Sequence, residues 1–335
     1  MPMRLAAIDL GTNTVRLLVG EPDGAGGFRP VFAAQEITRL GQGLLPDREL
    51  KPEPIRRSLA VLNRFRQAAE SHAATEIAAV GTSALREAKN REAFLDQARR
   101  ETGLRVRVVS GEEEARLTLL GVLAAVPVGR GPWLLMDIGG GSTEFLLADG
   151  AEVRATVSTG LGVVKLTEAH LKADPPLPGD LAVVRDVVAS RVAHVRTRDL
   201  PGLASATLHP GLAFVGTAGT VTSLAAIDLA LDPYDPERVN GHRLTRDRVA
   251  TLCGELASLP LARRRQVPGL EPARADVIVA GAMVCLGALE GLGFPDLTVS
   301  DGGLREGILL DLLHRSAAEP SSPQVPEQGR GPSAT

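Results

Sequence analysis

The chain has 335 residues, 44% of them hydrophobic, which is enough to bury a substantial core and suggests two domains of ordinary size. Its formal net charge of -3 provides no global cationic field for nucleic acid or a membrane, and 3% aromatic content argues against a stacking platform for single strands. The two cysteines, Cys253 and Cys285, stand in apolar contexts without CxxC spacing, so neither a disulfide scaffold nor a zinc site is expected.

The N-terminal MPMRLAAIDLG runs straight into a strand pattern with no secretory h-region or cleavage site, and a cytoplasmic location is expected. Residues 5–10 and 15–19 read as a hairpin about the polar turn GTNT, and 29–37 as a third strand. Residues 52–74 carry Ile55, Leu59, Leu62 and Phe65 on one helical face. A short strand at 77–80, an amphipathic helix at 92–101 and a strand at 105–109 follow. SGEEEARLTLLGVLAAV opens with a serine cap and an acidic first turn, the signature of a helix start. PVGRGP, 127–132, is a turn-rich break and the expected domain boundary. The second half restarts with WLLMDIG, GGST and EFLLAD, then a strand at 153–158 and helices to about 195. A strand at 213–215 opens onto GTAGTVTSLAAI. A long apolar helix is expected over 275–292; glycines and Glu290 interrupt its apolar run, which is too short to span a bilayer comfortably. A strand at 297–299 leads through SDGG into a last helix, and the Pro/Ser/Gln/Gly-rich tail from Ala317 is expected to be disordered.

DLGTNT at 9–14 and DIGGGST at 137–143 echo one another, each placed between two short apolar runs. Two halves opening with the same strand–Asp–Gly turn–strand unit suggest a duplicated fold with facing domains. A glycine-rich hairpin turn can aim backbone amides into one concavity, where they bind phosphate oxygens without side-chain bulk. The hydroxyls of Thr12, Thr14, Ser142 and Thr143 add donors. Asp9 and Asp137 at the strand ends can hold Mg²⁺ directly or through water, and a bare phosphate pocket would avoid them. Either loop alone is ordinary turn chemistry; the pair, with a third loop GTAGT at 216–220, points to function. No GxxxxGK[ST] occurs, and Gly160 and Gly162 lack the third glycine of a dinucleotide fingerprint. Arg263 to Arg265 reads as a solvated run with a secondary role in steering an anion.

The three loops resemble the two phosphate loops and the nucleotide-side loop of the actin, sugar-kinase and heat-shock ATPase superfamily. More narrowly, AAIDLGTNTVRLLV, GTSALREAKN, VVSGEEEARLTLLGV, LLMDIGGGSTEF, STGLGVVKLTE, GTAGTVTSLAAI and SDGGLREGIL resemble, in order over residues 6–311, the exopolyphosphatase and guanosine-pentaphosphate phosphohydrolase (Ppx/GppA) family. The resemblance implies an α/β fold of two ribonuclease H-like, actin-like domains with an interdomain cleft. These are residues 1–126, with the last helix (304–316) packing back on them, and 127–303, with a disordered tail at 317–335. It implies Glu114 as catalytic base, Asp137 and Glu144 as metal-holding or water-orienting groups, and Arg86 as a phosphate ligand. It further implies phosphate or metal contacts from Asp9, Thr12, Asn13, Gly139, Gly140, Gly141, Ser142 and Thr143, with Gly216, Thr217, Gly219 and Thr220 in the third loop.

The expected activity is release of terminal orthophosphate from inorganic polyphosphate, from pppGpp, or from both, with Mg²⁺; a monovalent-cation requirement and homodimerisation are left open. Phosphoanhydride hydrolysis needs an in-line water, a group to orient and partly deprotonate it, and charge neutralisation on the equatorial oxygens. The alternatives are a phosphotransferase of the same superfamily and a non-catalytic sensor of polyphosphate or (p)ppGpp, with an ATP-driven filament protein behind them. Long family members carry further C-terminal domains that extend a polyphosphate channel and dimerise, and this chain is expected to be a short, two-domain form.

Overall fold

The computed structural model describes residues 3–126, 132–200, 203 and 211–318. The first sheet comprises β1 (Leu5–Leu10), β2 (Thr14–Pro22), β3 (Phe28–Ile37), β4 (Glu76–Gly81) and β5 (Val106–Val108), ordered β3-β2-β1-β4-β5. β1, β2 and β3 form an antiparallel meander, and β4 and β5 add in parallel. The second sheet comprises β6 (Pro132–Ile138), β7 (Thr143–Asp149), β8 (Glu152–Thr159), β9 (Ala213–Thr217), β10 (Arg243–Thr245) and β11 (Asp296–Val299), ordered β10-β11-β9-β6-β7-β8. Its β8-β7-β6-β9-β11 core repeats the first sheet's pattern of meander and parallel strands, with β10 added antiparallel. The duplication visible in the two Asp–Gly loops therefore extends to whole sheets, and the fold is the actin-like α/β class expected.

β1 is buried at every position, as a central strand covered on both faces must be. The helix Gly111–Ala125 explains how the two sheets are joined. Ser110 caps it by accepting from the Glu113 amide, and Glu112, Glu113 and Glu114 fill its first turn. It buries two faces. Leu117 packs with Leu5, Val80 and the terminal helix Leu304–Ala318. Ala115, Leu119 and Val122 pack on Trp133, Leu135, Leu146 and Val215 of the second sheet. A helix apolar on two faces is held between the layers, and only a narrow strip with Glu112, Arg116 and Ala124 is left exposed.

The terminal helix lies back on the first sheet through Ile308, Leu309, Leu312 and Leu313. It meets the Gly111–Ala125 helix backbone to backbone: a Cβ at Gly121 would lie 1.9 Å from the Gly303 carbonyl oxygen, and one at Gly307 1.7 Å from that of Leu117. It also runs through Ala318, two residues beyond its expected end at 316. The remaining tail, from 319, and the boundary at 127–132 apart from Pro132 lie outside the described residues.

Two expectations change. The helix expected over 275–292 starts at Ile278, because Pro272–Arg274 forms a 3-10 turn and Asp276 is drawn to Arg39, just after β3, at 2.5 and 3.0 Å. Arg264 is not solvated: it is buried and donates to the carbonyls of Leu256, Leu259 and Ala275, pinning that turn, while Arg263 and Arg265 stay exposed. No helix among the described residues is long and apolar enough to cross a membrane.

The glycine seam gives a stability prediction. Gly307→Val forces two backbones apart and should lower unfolding free energy by about 3 kcal/mol. Urea denaturation would show this as a lower midpoint at unchanged slope, and an unchanged midpoint would mean that the seam carries no load.

Candidate active site

The two hairpins that open the halves are built alike. Gly11 donates to the Thr14 carbonyl at 3.0 Å, and Gly139 to that of Ser142 at 2.9 Å. Across each turn the register pairs Asp9 with Arg16 and Asp137 with Glu144, so both members of each pair share one face of their sheet. The turns then touch across the cleft. A Cβ at Gly140 would lie 3.0 Å from that of Asn13, and one at Gly141 2.6 Å from the hydroxyls of Thr12 and Ser83. Glycine is required here by close approach, not by a turn φ.

Four carboxylates converge around these loops. Asp9, Glu114 and Glu144 are 8%, 7% and 5% exposed. Burial raises Asp9 to about 6, partly opposed by its cross-strand partner Arg16. Burial, then the Glu144 charge, raises Asp137 to about 7. Burial and the same Glu144 charge hold Glu114 well above the usual carboxylate range, while burial also raises Glu144. Arg86 stands among them, donating to Glu114 Oε2 at 2.5 Å and to the Val109 carbonyl at 3.1 Å, with Glu144 Oε1 at 4.0 Å. Ser158 donates to Glu144 Oε1 at 2.7 Å. Beside this cluster lies a cavity of about 90 Å³.

That cavity gathers most of the residues singled out in the sequence: Asp9, Thr12, Asn13, Thr14, Glu114, Asp137, Gly139, Gly140, Gly141, Ser142, Glu144, Thr217, Gly219 and Thr220. Three do not line it. Thr143 is fully buried and its hydroxyl is committed to the Leu161 carbonyl at 2.7 Å. Gly216 is a β9 residue paired with both β6 and β11. Arg86 has turned its guanidinium to the carboxylates. The helix Ala218–Asp228 starts at the cavity wall, presenting the N-terminal end that favours anions. Ala218 there has φ +70, a left-handed conformation rare for a non-glycine residue and typical of functional loops.

Two cationic residues escaped the sequence reading. Arg16 lines the cavity from β2, and Arg274 lies over Gly219, where a Cβ would come 1.7 Å from its Nη1. The DLGTNT motif carried the signal for Arg16, seven residues after Asp9 as Glu144 is after Asp137. Nothing in sequence announces Arg274. Both also line a second, larger cavity of about 840 Å³ that opens beside the first.

With this geometry established, comparison with known proteins is direct. The Ppx/GppA phosphatase family profile matches residues 20–316. The chain belongs to this family. It is 32% identical to exopolyphosphatase 2 of Mycobacterium tuberculosis over 92% of this chain and 98% of that protein. It is 31% identical to the guanosine-5'-triphosphate,3'-diphosphate pyrophosphatase of Aeromonas hydrophila over 92% of this chain but only 59% of that protein. The crystal structure of the Aquifex aeolicus Ppx/GppA family member superposes with a TM-score of 0.78 at 32% identity, covering 95% of this chain and all of that one. The family resemblance drawn from the loop motifs therefore holds over residues 20–316.

The raised carboxylates fix a sign for pH dependence. Asp137 ordinarily titrates near 3.8 and is raised to about 7 in the fold. The folded chain thus keeps a proton that the unfolded chain gives up, and its stability falls as pH rises through that window. In chelator at pH 8, Asp137→Asn should melt about 3 °C or more above the parent, with the gap closing by pH 4. Adding Mg²⁺ at pH 8 should raise the parent's Tm more than the variant's, as judged by differential scanning fluorimetry.

Proposed function

We propose that the chain hydrolyses the terminal phosphoanhydride of inorganic polyphosphate or of pppGpp, in a cleft between two domains. One is formed by residues 1–126 with the terminal helix, the other by 127–303. The observation that carries this reading is the cluster of four carboxylates beside two glycine loops and a helix N-terminus. A site for a bare polyanion would be cationic throughout, whereas a site that must also handle water and a divalent cation needs acids. The same cluster speaks against a pure sensor.

The residues fit Mg²⁺. Asp9 Oδ1, Asn13 Oδ1 and Thr12 Oγ1 are buried without a hydrogen-bond partner. Among the described residues no group of three or more His, Cys, Asp or Glu is placed to hold a metal ion by itself. Mg²⁺ is commonly held by one or two carboxylates and completes its shell with water and phosphate oxygens, so the anchors would come from among Asp9, Asp137 and Glu144, one or two at a time. When bound it would neutralise charge on the phosphate oxygens and loosen the proton on a nearby water.

The chain's own groups supply the rest. Arg86 engages Glu114 Oε2 and leaves Oε1 to accept a proton from water. Burial raises the basicity of Glu114 toward the working pH, which a general base requires. The amides of Gly140 and Gly141 meet no acceptor among the described residues and can hold equatorial oxygens. Thr12, Thr14 and Ser142 add hydroxyl donors, and Arg16 and Arg274 neutralise the departing chain.

The second cavity favours a nucleoside polyphosphate over a bare chain. Its inner end carries Arg16 and Arg274. Its lining also includes Leu231, Pro233, Val267, Pro268 and Leu270, with the half-exposed ring of Tyr234, among polar residues such as Asp232 and Arg265. Tyr234 is the chain's single tyrosine and donates its hydroxyl to Asp301, which fixes the ring. An unbranched phosphate chain makes no use of such a wall.

Phosphate release from polyphosphate, pppGpp and ATP with Mg²⁺ tests both statements. Glu114→Gln should lower kcat by about 10²- to 10⁴-fold while keeping the parent's melting temperature or exceeding it. Unfolding of that variant, or full activity, would remove Glu114 from the chemistry. Tyr234→Ala should raise KM for pppGpp by about tenfold, the worth of one stacked base, and leave polyphosphate turnover unchanged. Equal effects on both substrates would remove the nucleoside reading.

A further inference from the structure

STGLGVVKLTE, 158–168, has no place yet in the chemistry beyond Ser158. Its first part is lashed to the second glycine loop. Thr159 Oγ1 donates to the Thr143 carbonyl at 2.8 Å, Val163 N to that of Gly139 at 3.1 Å, and Val164 N to that of Gly140 at 2.9 Å. Gly162 makes this possible, since a Cβ there would lie 2.2 Å from the Gly141 carbonyl carbon. The next residue reaches across the cleft. Lys165 Nζ lies 2.7 and 2.9 Å from the two carboxylate oxygens of Glu87, in the first half. The two side chains are 19% and 31% exposed, so solvent screens the pair only partly.

Glu87 closes the short helix Ser83–Glu87, and two neighbours on that helix belong to the site. Ser83 lines the small cavity and donates to Glu87 Oε1 at 3.0 Å. Arg86 grips Glu114 and stands beside Glu144. Glu114 and Arg86 come from the first half, Glu144 from the second. The cluster therefore exists only while the halves keep one register, and Lys165 is anchored to the loop that leads into Glu144.

We infer that Lys165 and Glu87 are positioning residues. Their ion pair sets the register between the second glycine loop and the Ser83–Glu87 helix, bringing Arg86 and Glu114 onto Glu144. The inference rests on the hydrolase reading. It differs from a plain stabilising salt bridge, whose loss would lower the melting temperature by a small amount and leave turnover alone.

A charge swap tests it. Lys165→Glu and Glu87→Lys should each lower kcat on the wild type's better substrate by about 10- to 100-fold, the cost of a displacement near 1 Å. KM and melting temperature should change little. The double variant Lys165→Glu/Glu87→Lys should regain most of the lost kcat. Single variants with parental kcat, or a double variant no better than the poorer single, overturn the inference while the hydrolase reading stands. A wild-type chain that releases no phosphate from either substrate overturns that reading and this inference with it. If charge reversal unfolds the chain, Lys165→Met and Glu87→Gln provide the same comparison without repulsion. Their effects on kcat must then be non-additive in the double variant, and additive effects count against the pair.

Discussion

Four carboxylates held together, with one guanidinium reaching two of them, set the terms for the rest of the structure. Like charges in a low-dielectric site repel strongly, and a flexible scaffold would let them drift apart or into solvent. Here none of their carriers can drift. Asp9 and Asp137 sit on central strands with neighbours on both sides. Glu144 is paired in register to Asp137 and tied to Ser158. Glu114 leads a helix clamped between two sheets and sealed to the terminal helix through glycines. The close-packed backbone seam and the crowded charges belong together: the first makes the second tolerable.

Duplication accounts for the layout, and one departure from it accounts for the polarity. Both hairpins place an Asp seven residues ahead of its cross-strand partner. In the first half the partner is Arg16, and in the second it is Glu144. A symmetric pair of loops would surround a phosphate chain with the same charge on both sides. The substitution instead makes one wall cationic, toward the larger cavity, and the other anionic, toward Glu114 and Arg86. On the proposed reading, a polyanion between them would have its tail toward the cationic side and its end toward the acids.

Much of this was legible in sequence because it is local. Asp–Gly loops between apolar runs, a serine cap followed by glutamates and a glycine-punctuated last helix all state their role within about ten residues. What was not legible depends on pairing between distant segments. Arg274 gains its position from a missing Cβ at Gly219, and Arg264 from three backbone carbonyls to which it donates. Lys165 and Glu87 are 78 residues apart and look like surface charges until the halves are brought together. Thr143 was misread for the opposite reason: its motif suggested a donor to phosphate, but a buried carbonyl had the stronger claim on its hydroxyl. The start of the apolar helix moved to Ile278 because a long-range ion pair at Asp276 outweighed local periodicity.

The terminal helix has a consequence for how the molecule is made. β1 emerges from the ribosome some three hundred residues before Ile308, Leu309 and Leu312, the side chains that cover it. The first sheet therefore waits, with one face uncovered, through synthesis of the entire second half, and this long-range closure is slow to form and exposed to aggregation meanwhile. The helix bearing Glu114 gains its backbone seam only at that final step. Vectorial synthesis thus couples completion of the Glu114 helix's packing to arrival of the last helix, so a nascent chain lacks the rigid charge cluster until its second half is already in place.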